Sequence, residues 1–176
     1  RNVLERLRGD DLYDRKRVEQ RLNQAKKAHD MSMLKACEEA LHFFTDQDYF
    51  ILHRRDKGGK TRLAPIVGPH KDEVIRRMQN TASSDLVWNY INSNCDVHGY
   101  RADYATYLYK LYARPIESLD YSRKIMCADG KMRSEIYVCR SDEKGKKLDR
   151  KAVRAVSVAL GHNREDTAIT SYIRNI

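Results

Sequence analysis

The sequence has few of the residues that interrupt regular structure, and it has no apolar run that could cross a membrane. Its 176 residues include 8 glycines and 3 prolines, and no internal repeat or low-complexity tract is evident. A spanning helix needs roughly 20 consecutive apolar residues, and no stretch approaches that length. Hydrophobic residues still make up 41% of the chain, which is enough for a core at this size. The composition therefore predicts a folded domain and excludes a wholly disordered chain.

Cysteine is also scarce, and its placement argues against a zinc site. The four cysteines are Cys37, Cys95, Cys127 and Cys139, with no Cys-x-x-Cys pair and no histidine at zinc-finger spacing. We expect reduced thiols packed as small apolar residues, which favours a cytosolic protein. A disulfide between Cys127 and Cys139 across a hairpin is the alternative.

The charge is unbalanced toward the positive. Lysine and arginine total 34 and the acidic residues total 25, for a net charge of +9. This balance favours an anionic partner, with nucleic acid first and a membrane surface second. It does not indicate what is done to that partner.

The hydrophobic pattern predicts a mainly α chain with small β-hairpins, an α+β fold. Residues 14–44 repeat apolar positions at helical spacing, with a break expected near Asp30. Two β-rich runs, 49–52 and 62–67, flank a Gly-Gly turn and predict a hairpin. The pattern further predicts a helix after Pro69, a tyrosine-rich helix over 96–113, one hairpin over 125–147, and helices over 149–160 and 164–174 with Gly161 between them.

Four short features could carry chemistry. His98 and Arg101 share a helix face, His162 follows a Leu-Gly helix end, Tyr172 lies on the last helix, and Lys57 lies in the Gly-Gly turn. Each alone has an ordinary interpretation. The chain has 11 tyrosines, for example, and a lysine in a turn is usually solvated.

Together and in this order, they resemble the catalytic domain of the tyrosine recombinases, the phage-integrase family. KGGKTRLAP (57–65) resembles the family's lysine hairpin, HGYRADYAT (98–106) its His-x-x-Arg helix, and ALGHNREDT with SYI (159–173) its closing segment. The resemblance covers residues 1–12 and 49–176. It is strongest to integrases of integrative and conjugative elements from Gram-positive bacteria.

The resemblance implies a metal-free and cofactor-free DNA breakage. Arg101 and His162 would bind the scissile phosphate, His98 would assist, Tyr172 would attack, and Lys57 would protonate the leaving 5′ oxygen. Because a phenol ordinarily titrates near 10, the attack needs such helpers. Further implications are DNA contacts from Lys60 and Arg62, double-stranded att-type sites as substrate, a tetramer of protomers on DNA, no membrane, and the bacterial cytoplasm as location.

The sequence departs from the family pattern at three places. Residues 7–12 resemble the end of the helix that carries the first catalytic arginine, which would lie just before Arg1; Arg1 in a shifted register is the alternative. On this interpretation residues 1–176 are a catalytic-domain fragment without the N-terminal core-binding domain, and the missing arginine would leave the fragment inactive unless Arg1 replaces it. A helical insertion at 14–44 would be a structural addition or an arm that contacts DNA or a protomer. A hairpin insertion at 125–147 lengthens the interval between Arg101 and His162.

Three other functions stay open from the sequence. The chain could be a DNA-binding module derived from an integrase without catalysis, or an enzyme resembling a type IB topoisomerase. A protein of the membrane surface is more remote, because no helix combines the charge with an apolar face.

Overall fold

A computed structural model describes residues 4–56, 59–127, 130–140, 143–162 and 165–173. The chain divides into two compact units, Arg1–Val97 and His98–Ile176. Helices and small antiparallel sheets make up both units, which confirms the predicted α+β class.

The first unit contains a three-stranded antiparallel sheet. Its strands are β1 (Leu12–Asp14), β2 (Tyr49–Asp56) and β3 (Lys60–Pro65), with β2 in the centre. Strands β2 and β3 are the predicted hairpin, and Gly59 supplies a φ of 74° in the turn. The turn residues 57 and 58 lie outside the described part of the chain.

The expectation that residues 7–12 end a helix is wrong. Short 3-10 turns occupy Leu4–Arg6 and Gly9–Asp11, and β1 follows at once. The amides of Gly9 and Asp10 donate to the carbonyls of Asp85 and Ser83, at 3.3 and 3.2 Å, instead of to a preceding helical turn. These contacts hold residues 9–10 against residues 83–85 and take the place of the hydrogen bonds that a continuous helix would make.

Residues 14–44 form two helices, α1 (Arg15–Ala28) and α2 (Met31–Phe43). His29 ends α1 with a left-handed φ of 54°, and Asp30 caps α2 by accepting from the Met33 amide at 3.0 Å. Helix α1 packs on α2, and α2 packs on β3. The predicted break near Asp30 is therefore confirmed.

The first unit contains a buried apolar cluster. Helix α3 (Lys71–Gln79) follows Pro69 as predicted, and its Met78 is buried with Leu7, Ile66 and Val87. This cluster fixes the 83–89 segment against the start of the chain.

The second unit is built on α4 (Val97–Tyr112) and α5 (Arg150–Leu160), with α6 (Glu165–Ser171) packed on α5. The prediction of one hairpin over 125–147 is wrong, because there are two. Strand β4 (Lys124–Met126) pairs with β5 (Met132–Ser134), and β6 (Ile136–Val138) pairs with β7 (Lys147–Asp149).

The buried residue Glu135 separates the two hairpins. It lies between β5 and β6, is 1% exposed, and gives its amide to the Arg123 carbonyl at 2.9 Å, outside either ladder. The segment expected as a polar exit, 142–145, contributes the turn between β6 and β7 at residues 143–145. The last helix ends at Ser171, earlier than the predicted 174.

All four cysteines are free thiols, so the alternative of a Cys127–Cys139 disulfide is excluded. Three of them are buried as expected, and burial raises the pKa of Cys37 to about 11.

Among the described residues, no helix is both long enough and apolar enough to traverse a lipid bilayer.

Candidate active site

Arg101 lies one turn into α4, three residues after His98. His98 is exposed, whereas Arg101 is half-buried. Its Nη2 donates to the carbonyl of Leu160, the last residue of α5, at 3.3 Å. Its Nε is buried and has no hydrogen-bond partner within the described part of the chain. The guanidinium is thus held at the end of α5, with donor capacity remaining.

His162 follows α5 directly, because Gly161 turns the chain with a φ of 74°. Only glycine adopts that conformation without strain. The His162 amide donates to the Ser157 carbonyl at 2.8 Å, and the Ser157 hydroxyl donates to the His162 carbonyl at 3.2 Å. Two hydrogen bonds to one residue therefore hold the His162 backbone in place.

Tyr172 comes directly after α6 and keeps a helical hydrogen bond from its amide to the Ala168 carbonyl at 3.1 Å. Its ring stacks on that of His162, with centroids 5.3 Å apart and planes 22° apart. The Arg101 Cζ lies 5.1 Å from the centroid of the same ring. A cation and an imidazole therefore both contact the phenol ring.

This cluster has the chemistry of an anion site. A guanidinium donates planar, charge-assisted hydrogen bonds that match phosphate oxygens, and an imidazole adds a further donor. A cation at an aromatic face is attracted to it, which keeps the guanidinium beside the phenol. The arrangement brings a potential nucleophile and phosphate-binding groups to one place.

An ionic network with buried carboxylates holds α5, the helix that precedes His162. Asp149 is 0% exposed, caps α5 through the Lys151 amide at 2.9 Å, and accepts from Arg114 Nε at 2.8 Å and Nη2 at 2.9 Å. Burial opposes the ionised form, but the hydrogen bonds from Arg114 outweigh it and hold the pKa of Asp149 below its ordinary value. Arg114 also donates to Glu135 at 3.2 Å, and these contacts raise its pKa.

A second buried pair ties α6 to the start of α5. Arg150 Nη1 donates to Glu165 at 2.8 Å, with side chains 11% and 10% exposed. Arg150 also donates to the Ser134 carbonyl at 2.5 Å, so one arginine joins α5, α6 and β5. This contact positions the short helix that precedes Tyr172.

Three of the predicted catalytic residues lie together in the structure. The structure brings Arg101, His162 and Tyr172 together, and it leaves His98 exposed on the same helix as Arg101. Lys57 and Arg1 lie outside the described residues. On β3, Lys60 is half-buried and Arg62 is only 9% exposed, which is unfavourable to the DNA contact predicted for Arg62.

Several supporting residues could not be recognised from the sequence. Ser157 looks like one more small residue on the buried face of α5, and Asp149 looks like an ordinary helix cap. Their partners could have been suggested only by the unusual burial of polar residues, which a linear pattern does not reveal.

A surface cavity of about 820 Å³ lies in the first unit, between Arg8 and residues 77–89. Its two arginines, Arg8 and Arg77, donate to the carbonyls of Ser84 and Val87. They serve to fasten that segment, and the cavity is lined by none of the predicted site residues.

Within the described residues, no group of three or more histidine, cysteine, aspartate or glutamate side chains is placed to hold a metal ion. No protein-family model, curated protein or solved structure matches the chain.

Proposed function

We propose that the chain is the catalytic domain of a site-specific DNA recombinase of the tyrosine-recombinase type. The contact of Tyr172 with both Arg101 and His162 is the observation that carries the proposal. These residues lie on α4, after α5 and after α6. The fold, and not nearness in sequence, therefore brings Arg101 to the other two. The +9 charge of the chain is consistent with a DNA substrate.

In the proposed reaction, Arg101 and His162 bind the non-bridging oxygens of one phosphodiester. The Tyr172 oxygen attacks phosphorus, and its proton passes to a base, for which His98 is the proposed group. The bond from phosphorus to the 5′ oxygen breaks, and that oxygen takes a proton from Lys57. A 3′-phosphotyrosyl link and a free 5′ hydroxyl result, so the reverse attack by another DNA end joins new strands without ATP.

The proposal extends to fold and partners. The second unit and the β2–β3 hairpin would belong to the tyrosine-recombinase catalytic-domain fold, with α1–α2 and residues 125–147 as insertions. The substrate would be double-stranded DNA with att-type sites, held by several protomers in a bacterial cytoplasm.

Covalent capture on nicked DNA tests the proposal. A library of nicked duplexes with randomised sequence is incubated with the full-length protein, and DNA that stays attached in detergent is recovered and sequenced. We expect adducts on a defined sequence. Tyr172→Phe should abolish them, and Arg101→Ala should slow their formation by about 10²–10³-fold. Tyr107→Phe, an exposed tyrosine on α4, is the matched control and should retain activity.

The other outcomes separate the alternatives. Sequence-dependent DNA binding without any adduct would identify a non-catalytic DNA-binding module. Relaxation of supercoiled plasmid with no sequence preference would identify a topoisomerase. Adducts that persist in Tyr172→Phe would mean that another residue is the nucleophile.

A further inference from the structure

The outward face of α1 carries a stripe of exposed polar residues with no assigned role. The stripe consists of Lys16, Gln20, Asn23 and Lys27, all of them exposed. At about 100° of rotation per residue, these four positions fall within an arc of about 60°. The buried positions of α1, Val18 and Ala25, lie on the opposite side of the helix. The fold therefore turns this stripe away from the core.

The fold makes no use of the stripe side chains. Within the described residues, none of the four forms an ion pair or a side-chain hydrogen bond. Other basic residues of α1 are engaged: Arg15 donates to the carbonyl of Thr45 at 3.1 Å, and Arg17 donates to that of Leu12 at 2.8 Å. Arg15 and Arg17 therefore help to hold α1 in place, whereas Lys16 and Lys27 remain available to a partner.

The rest of α1 is also mainly positive. Lys26 is exposed beside it, and Glu19 is the single acidic residue of α1. The Glu19 carboxylate lies 3.8 Å from the Arg15 guanidinium, and the arginine offsets its negative charge. The stripe contains no apolar residue, so it cannot bury the apolar surface that a protein partner or a membrane would require.

We propose that the α1 stripe binds the major groove of duplex DNA. Lys16 and Lys27 would contact phosphates on the two sides of the groove, and Gln20 and Asn23 would face base edges, where amides pair well with adenine. The two lysines are 11 residues apart along the helix, or about 16.5 Å at 1.5 Å per residue. That separation exceeds the groove width of about 12 Å, so the two lysines can reach the phosphates that border the groove. The inference rests on the proposed function for its choice of DNA as partner.

Salt-dependent DNA binding tests this inference. The full chain is titrated onto a labelled random-sequence duplex of about three helical turns, between about 50 and 200 mM salt. The variant Lys16→Gln with Lys27→Gln is compared with a control that loses the same charge elsewhere in the unit, Lys35→Gln with Lys71→Gln. Loss of two phosphate contacts should flatten the plot of log K against log salt by about 1.8. The control should flatten it by less than half as much.

A modified probe tests the groove itself. The same duplex with glucosylated hydroxymethylcytosine has sugar filling its major groove. Wild type should lose affinity for it, and the stripe variant should lose less. Gln20→Ala with Asn23→Ala should keep the salt slope and reduce discrimination between duplex sequences.

Equal slopes for the stripe and control variants would overturn the inference, as would equal wild-type affinity for the plain and glucosylated duplexes. Adduct formation at saturating DNA measures the proposed function separately, and the stripe variants should retain this activity. A wild-type chain that forms adducts but shows no effect of the stripe refutes the inference alone. A chain that binds no duplex refutes both.

Discussion

Replacing Asp149 by asparagine should destabilise the second unit strongly. The carboxylate is 0% exposed and accepts three hydrogen bonds from Arg114, at 3.1, 2.8 and 2.9 Å. Asparagine keeps the shape and can still cap α5, but it removes the charge and turns a donor toward another donor. The substitution therefore removes the charge and one hydrogen-bond acceptor from the contact with Arg114, and it leaves the cap in place.

The size of the effect follows from the exposure of Arg114. Removing one partner of a buried ion pair costs about 3–5 kcal/mol. The Arg114 side chain is 38% exposed and keeps Glu135 at 3.2 Å, so water and Glu135 replace part of what is lost. We expect the lower end, about 3 kcal/mol, or a fall in Tm of about 6–12 °C. Asp149→Ala also loses the cap and should cost about 1 kcal/mol more.

Urea and thermal unfolding followed by circular dichroism measure the change, with Asp103→Asn as the control. Asp103 is an exposed carboxylate on α4 of the same unit, so its loss should change stability by less than about 0.5 kcal/mol. Equal destabilisation by Asp149→Asn and Asp103→Asn would refute the reasoning.

The same pair predicts a pH dependence. Because the pKa of Asp149 is lowered in the folded chain, its ionisation stabilises the fold at any pH above the ordinary aspartate pKa of about 3.9. That contribution is lost as the pH falls through the lower folded-state pKa. The stability gap between wild type and Asp149→Asn should be full at neutral pH and close on acidification below about pH 4. A gap that widens in acid would contradict the assignment.

Three further predictions concern other parts of the account. Gly9→Ala should cost about 1–3 kcal/mol in thermal unfolding, because its Cβ would lie 2.2 Å from the backbone oxygen of Thr81; an unchanged Tm would contradict this contact. Ser157→Ala should cost about 1 kcal/mol and slow adduct formation while leaving DNA affinity unchanged, since Ser157 holds the His162 backbone; equal losses in both would indicate a general structural role. Chelation by EDTA should leave adduct formation intact, because the proposed donors are guanidinium, imidazole and phenol; loss restored by a divalent cation would contradict the metal-free reaction.

Local chemistry made much of the fold predictable. The two β-rich runs around the Gly-Gly turn predicted β2 and β3, and helical spacing predicted α1 and α2. The break between α1 and α2 follows from Asp30, a strong N-cap, after a residue in the left-handed region. These features depend on neighbours in sequence, and a linear pattern contains them.

Long-range polar contacts were not predictable. Strands β4 to β7 are 3 residues each, too short for alternation to separate one hairpin from two. Glu135 interrupts them because Arg114 lies nearby in space, 21 residues earlier. The grouping of Arg101 with His162 and Tyr172 was expected only from the family resemblance, because no local rule joins residues 61 or more apart.

The most direct test of the central claim is to identify the residue that carries the DNA. Adducts from the nicked-duplex library are digested with nuclease and protease, and the modified peptide is sequenced by mass spectrometry. We predict a nucleotide linked through its 3′-phosphate to the oxygen of Tyr172. A nucleotide on any other residue would contradict it, and so would a 5′-phosphate link.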